Sequence, residues 1–204
     1  MAPLSCIECT PEERAYLLSI ARRSIRHGLR TDQPLTVAAD AWPGAPDAEY
    51  GNFVTLMLAD RLRGCIGSIE PTQPLAPSVA AHAFNAAFHD PRFPPLTGTE
   101  LARTRIEISV LSTPEPVAAP TRAALAAELR PGEDGLLLTD GSHHATFLPK
   151  VWEQLPEPEQ FIAHLRTKAG LSADGWSDTI RCFRYCTTSF AEDSGLDAAV
   201  GPEA

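Results

Sequence analysis

An α+β fold built on antiparallel sheet follows from three features of the 204-residue chain. Apolar residues recur at helical spacing in several stretches. Strand-like runs come in pairs across short turns. The two kinds of segment are interspersed without a repeating strand–helix–strand unit, which excludes a doubly wound parallel sheet. Thr10-Pro11-Glu12-Glu13 opens the first helix, with Thr10 as cap, Pro11 in the first turn and Glu13 completing a capping box. Leu17, Leu18, Ala21, Ile25 and Leu29 form its apolar stripe, and Gly28 marks its end. Residues 31–50, rich in Pro, Asp and Ala, read mostly as loop. Phe53–Leu58 and Leu62–Ile69 flank Ala59-Asp60-Arg61 as an antiparallel hairpin over 53–69. In it Leu62, Gly64 and Ile66 face one side, and Arg63, Cys65 and Gly67 the other.

Leu75–His89 is alanine-rich and helical, with Ser78 as cap or first-turn residue, and stops at Asp90-Pro91. Thr97-Gly98-Thr99-Glu100 caps a short helix. Arg105–Leu111 alternates as a half-buried strand, with Glu107 and Ser109 on the face away from the core. A short helix spans Thr121–Arg130, and a hairpin turns at Asp140-Gly141 between Gly135–Thr139 and His144–Leu148. Pro158–Ala169 forms a further helix ending at Gly170, and Thr179–Thr187 is the last strand.

With 26 acidic against 17 basic residues the formal charge is −9, which disfavours nucleic acid as a partner. Residues 191–204 carry four carboxylates, no base and no apolar periodicity, and read as an acidic, disordered tail. No apolar run has the length of a membrane span, and no basic-then-apolar leader opens the chain. A cytoplasmic protein without membrane attachment is expected, with its five cysteines reduced. Cys6 and Cys9 have the spacing of a metal knuckle or redox pair. With Cys182 and Cys186 they could complete a four-thiolate site, although the latter two lie in a strand-like run. No cofactor is called for.

The segment richest in chemistry is Arg61-Leu62-Arg63-Gly64-Cys65-Ile66-Gly67-Ser68. It sets one thiol among two glycines and two arginines. Arg63 and Cys65, two apart on a strand, leave the same face, and a guanidinium beside a thiol favours the reactive thiolate. Gly64 and Gly67 admit backbone or ligand where a side chain would block it. The competing reading is a buried cysteine acting as a small apolar filler.

Leu62-Arg63-Gly64-Cys65-Ile66-Gly67 resembles the signature hexapeptide of the AMMECR-type domain family, whose bacterial and archaeal members are called AmmeMemoRadiSam system protein A. Gly51–Leu56, Asp90–Leu96, Glu107–Ser112, Asp134–Leu136, Leu148–Val151 and Lys168–Leu171 agree in kind and order, so the resemblance covers residues 10–190. It implies one AMMECR-type domain over 1–190. A larger lobe of antiparallel sheet flanked by helices would hold both termini, with a smaller inserted lobe and the signature near the groove between them. It also implies a modification pathway shared with a radical S-adenosylmethionine enzyme and a Memo-like protein, rather than a particular reaction.

Around that signature, Cys65 and Arg63 are the candidate catalytic residues, and Arg92, Asp90, Glu107, Gly64 and Gly67 the candidate substrate-binding ones. Within Asp90-Pro91-Arg92-Phe93-Pro94-Pro95 the three prolines stiffen the loop. Arg92 could there clamp a carboxylate or phosphate, or pair with Asp90 to pin the loop. Glu107 joins a polar cleft or is a solvated strand residue. His82 and His89 are possible bases for Cys65, but surface or core histidines are commoner. His143 and His144 point oppositely on a strand and read as hairpin residues, and Lys168 complements its helix end. Two functional classes result. One is an enzyme or substrate-binding component using Cys65 for acyl or alkyl transfer on a small molecule. The other is a non-catalytic interaction module in which the signature hairpin is structural.

Overall fold

The computed structural model describes residues 4–38 and 49–193. The expected loop over 31–50 and tail over 191–204 therefore lie partly outside the described residues. Helix α1 spans Pro11–Thr31, and its capping box is formed: the Thr10 side chain accepts from the Glu13 N–H, and the Glu13 carboxylate from the Thr10 N–H. Its buried face is Leu17, Ile20, Ala21, Ser24, Ile25 and Gly28. The expected stripe erred at its end, because Leu29 is 38% exposed. Strands β1 (Asn52–Leu58) and β2 (Arg61–Ser68) form the hairpin. Its turn is shorter than expected, with Ala59 and Asp60 both at positive φ, the backbone that a two-residue turn requires.

Helix α2 (Leu75–Phe88) follows, then α3 (Gly98–Leu101) with its own capping box, and β3 (Thr104–Leu111). Ser78 does not cap α2; its hydroxyl accepts from the Asn52 amide at 2.8 Å. The next elements are β4 (Glu115–Val117), α4 (Arg122–Glu128), β5 (Gly135–Asp140), β6 (His143–Phe147), a 3₁₀ turn over Pro149–Glu153, and α5 (Pro158–Lys168). The last strand is two strands, β7 (Arg181–Tyr185) and β8 (Thr187–Ala191), which enter different sheets. No glycine, proline or charged residue stands between Tyr185 and Thr187, so the change of sheet left no mark on the sequence.

The chain divides into two compact units, 8–110 with 188–204 and 1–7 with 111–187. The first holds a sheet of order β2-β1-β3-β8 with antiparallel β1–β2 and β1–β3 pairs. Val54, Leu56, Ile106, Ile108 and Val110, all 0% exposed, form its core face. Gly28 lies where α1 meets Phe84 and Phe88 of α2, and the Ser24 hydroxyl donates to the Ala80 carbonyl at 2.8 Å. The C-terminal end is anchored here. Glu192 forms an ion pair with Arg22 of α1 and accepts the Ile106 N–H at 2.9 Å. Residues 191–193 of the expected tail therefore belong to the folded unit, and the rest of it lies outside the described residues.

The second unit holds antiparallel strands in the order β4-β7-β5-β6, with Leu125, Phe161, Ile162 and Leu165 of α4 and α5 in its core. Trp152 stacks on Phe161 at 3.8 Å and donates its indole N–H to the Asp134 carbonyl. Cys6 and Cys186 form a disulfide, which corrects both the expected reduced state and the four-thiolate idea. Cys9 and Cys182 are free and buried; burial raises both thiols, Cys182 to about 12. Among the described residues no group of three His, Cys, Asp or Glu could hold a metal. Among them, too, no helix is long and apolar enough to cross a membrane.

Gly64 is the tightest joint in the first unit. A Cβ there would sit 2.1 Å from the Ala86 carbonyl oxygen of α2. Backbone cannot swing aside as a side chain can. Gly64→Ala should lower stability by about 3 kcal/mol, at the upper end of overpacking costs. Urea unfolding followed by circular dichroism measures this, and a neutral outcome is incompatible with the packing described.

Candidate functional site

The site grows from the register of the signature hairpin. Thr55 pairs with Cys65 and Leu56 with Gly64, but Met57 pairs with Leu62, so Arg63 is the extra residue of a β-bulge. Partners across an antiparallel pair share a face. Gly64 and Ile66 therefore lie with Leu56 and Val54 on the core face, as expected. Leu62 does not: the bulge turns it to the Met57 and Thr55 side, where it is 41% exposed. On that same side Glu107 pairs with Thr55, so Cys65, Thr55 and Glu107 form a row across three strands.

The half-buried Cys65 sulfur accepts a hydrogen bond from the Thr55 hydroxyl at 3.3 Å. Its backbone is held by the proline loop that follows α2. The Cys65 N–H donates to Asp90 Oδ2 at 2.8 Å, and Arg92 Nη2 donates to the Cys65 carbonyl at 3.1 Å. Asp90 and Arg92 thus satisfy one donor and one acceptor of β2, the end strand of its sheet, much as a neighbouring strand would. The two side chains also bind each other. Arg92 Nε and its own N–H reach Asp90 Oδ1 at 2.9 and 3.1 Å, and Nη2 reaches Oδ2 at 2.6 Å.

Asp90 is 3% exposed, so its carboxylate is buried with four donors. The Arg92 hydrogen bond, helped by the Cys65 and Arg92 backbone N–H groups, holds its pKa far below the usual carboxylate range. Arg92 is raised in turn, chiefly by Asp90, and the neighbouring Cys65 sulfur adds to the effect. The Arg92 side chain is 52% exposed.

Arg63 behaves differently from the sequence expectation. Its guanidinium bonds Glu100 through Nε at 2.9 Å and Nη2 at 3.2 Å, and the Pro94 carbonyl at 2.9 Å, rather than Cys65. It is 7% exposed, and its Nη1 has no hydrogen-bond partner. Phe93 lies under both guanidiniums, 5.8 Å from Arg63 and 5.5 Å from Arg92. The Arg63 hydrogen bond, then the Thr97 N–H, lower Glu100 to about 2. The arginine brought to Cys65 is Arg92, from a loop 27 residues away, and it bonds the carbonyl of that residue.

Other candidates are likewise placed. Gly64 and Gly67 admit the protein's own chain rather than a ligand: Ala86 O fills the space at Gly64, and Asn52 O with the Phe53 ring fills it at Gly67. Asp90 has no oxygen left for substrate. Glu107 is half-buried, one strand beyond Thr55. His82 pairs with Asn52 at 2.8 Å, with burial lowering its pKa, and His89 pairs with Asn85 at 3.0 Å. His143 bonds the Ala169 carbonyl, and Lys168 the Thr146 carbonyl. Sequence reading missed Thr55, Phe93 and the Arg63–Glu100 pair. Thr55 was within reach, since counting back across the hairpin sets it opposite Cys65. Nothing local links Glu100 to Arg63, 37 positions away.

Comparison with known proteins settles kinship. The AMMECR1 family model matches residues 18–190. This chain belongs to the AMMECR1 family. A Methanothermobacter thermautotrophicus protein is 37% identical over 194 residues, covering 94% of this chain and 98% of its own. A Thermofilum pendens protein is 35% identical over 193 residues, covering 89% and 90%. An uncharacterized Pyrococcus horikoshii protein of known crystal structure superposes with a TM-score of 0.82 at 30% identity, covering 92% of this chain and 95% of that one. The mixed helix and antiparallel sheet described above is thus the AMMECR1-type fold.

Both site carboxylates have folded pKa values below their unfolded ones. Their stabilisation is complete above the unfolded values and is lost as pH falls towards the folded ones. For Glu100 that window runs from 4.5 down to about 2. Glu100→Gln should be less stable than wild type at pH 7 and lose less stability across that window. Acid titration of the two proteins by circular dichroism checks this, and parallel curves would contradict the Arg63–Glu100 assignment.

Proposed function

We propose that this AMMECR1-family protein is a cytoplasmic component of a modification pathway in which a radical S-adenosylmethionine enzyme and a Memo-like protein also act. In this reading it presents Cys65 as a nucleophile to a small-molecule electrophile. The observation that carries the reading is the setting of Cys65, its half-buried sulfur hydrogen-bonded by Thr55 and its carbonyl by the Arg92 guanidinium. A thiolate so placed can form a bond to an acyl or alkyl carbon while the leaving group departs with its bonding pair. The half-exposed Arg92 then orients an anionic group of the substrate, and Thr55 steadies the sulfur. Arg63, Asp90, Gly64 and Gly67 act one step removed, by fixing the bulge, the loop and the strand that carry Cys65.

A second reading has its own support. Gly64 is filled by a helix carbonyl and the backbone of Cys65 is tied to Asp90 and Arg92, as a structural keystone would require. In that case the hairpin serves packing within its own unit, and the chain is an interaction module whose partners do the chemistry.

Alkylation of Cys65 in the full chain, read by peptide mass spectrometry at pH 7, separates the two. Thr55→Val and Arg92→Gln should each slow iodoacetamide labelling by roughly tenfold, the equivalent of one hydrogen bond of about 1.4 kcal/mol. Thermal melts confirm that the variants are folded. Labelling at the wild-type rate in both variants removes the nucleophile and leaves the interaction module.

A further inference from the structure

Helix α1 carries an unusual division of charge. From residue 14 to residue 31 it holds five arginines, one histidine and no acidic residue, in a chain whose acids outnumber its bases 26 to 17. Two of the five are bound inward. Arg14 donates to the Cys9 carbonyl, and Arg22 pairs with Glu192 and donates to the Leu101 and Thr104 carbonyls. The other three, Arg23, Arg26 and Arg30, are exposed and spaced i, i+3, i+7. They form a stripe on the side opposite the buried Leu17, Ile20, Ala21, Ser24, Ile25 and Gly28. Seven residues of helix span about 10.5 Å, so three guanidiniums stand within two turns.

None of these three makes a hydrogen bond or ion pair among the described residues. Arg61 and Arg103 are also exposed without a partner among the described residues, but each stands singly rather than in a row, and the half-exposed Arg122 and Arg130 are matched. Arg122 pairs with Glu159 and Asp174, and Arg130 with Glu133 and Asp134. Interaction with the helix dipole explains a cation in the last turn, which is Arg30. It does not explain Arg23, two turns from the end. The acids nearest in sequence stand at the two ends of the helix, Glu12 and Glu13 in its first turn and Asp32 at its C-cap. Leu29, 38% exposed, adds an apolar contact beside the stripe.

We propose that this face of α1 is a docking surface for an acidic helical segment of a protein partner. A helix with carboxylates every three or four residues presents them at the same pitch as the three arginines, and each guanidinium fork matches one carboxylate. Leu29 meets an apolar residue flanking that acidic row. A nucleic acid or an anionic membrane extends far beyond 10 Å, onto the rest of a chain whose net charge is −9, and would be repelled there. The proposal is independent of the chemistry at Cys65.

Fluorescence anisotropy with the full chain tests it. The probe is a fluorescein-labelled helical peptide with glutamates at i, i+4 and i+7 and one leucine. A single-stranded oligonucleotide of equal charge and vesicles of phosphatidylserine in phosphatidylcholine serve as rivals. The peptide should bind with an affinity that falls as salt rises. Arg23→Glu with Arg26→Glu should weaken it by roughly tenfold or more, whereas the same charge change at Arg61 and Arg181 should leave it within about twofold. Arg23→Gln with Arg26→Gln repeats the test without charge reversal, should the glutamates disturb folding. Three results would overturn the proposal: no peptide binding at low salt, equal loss in both pairs of variants, or tighter binding of the oligonucleotide or vesicles than of the peptide.

Discussion

The Asp90 carboxylate is the point on which the signature hairpin depends. Strand β2 ends its sheet, so the Cys65 N–H and carbonyl face outward with no strand to receive them. Asp90 takes the N–H, and Arg92, locked to Asp90 by its fork, takes the carbonyl. A buried carboxylate is costly unless its lone pairs are filled, and here four donors fill them. The result is a single closed network joining the edge strand, the end of α2 and the proline loop. Removing either charge would leave the other buried or half-buried without its match, which explains why two ionised groups stand where an apolar contact could have closed the gap.

The bulge at Arg63 is the second half of the same arrangement. A regular strand would have set Arg63 on the face with Cys65, two guanidiniums crowding one thiol. The extra residue turns Arg63 instead towards Glu100, Pro94 and Phe93. Arg63 therefore braces the proline loop from one end while Asp90 holds it at the other. Phe93 is in cation–π range of both guanidiniums. Arg92 alone is left beside Cys65, bonded to its carbonyl.

Most of the fold was legible because its signals are local. The capping boxes at Thr10 and Thr97 declare themselves within a few residues, and the two hairpin turns, at Ala59-Asp60 and Gly141-Ser142, were legible to within one residue. What escaped was non-local. The split of the last strand into β7 and β8 depends on which sheet edge each half meets, and β4 is too short for alternation to show. In the site, Cys65 and Arg92 were legible as residues, but their relation was not. Residue spacing along β2 favoured Arg63 as the thiol's neighbour, and a single-residue bulge reversed that choice. Gly64 and Gly67 were legible as places of close approach. Sequence could not say that the approaching groups are Ala86, Asn52 and Phe53 of the same chain.

The treatment of arginine connects these observations. Where an arginine builds the fold it is buried or braced and given a carboxylate or a carbonyl, as with Arg22, Arg63, Arg130 and Arg92. With 26 acidic side chains available, a partner for every arginine would have been easy to provide. Among the described residues Arg23, Arg26 and Arg30 nevertheless stand on one helix face without one. Solvent screening makes an unmatched surface charge cheap, so their exposure alone carries little weight. Their regular spacing, the absence of acids across 18 residues and the excess of acid elsewhere carry more. An acidic chain whose described carboxylates leave one cationic stripe clear keeps it open at the place where an external anion could engage it.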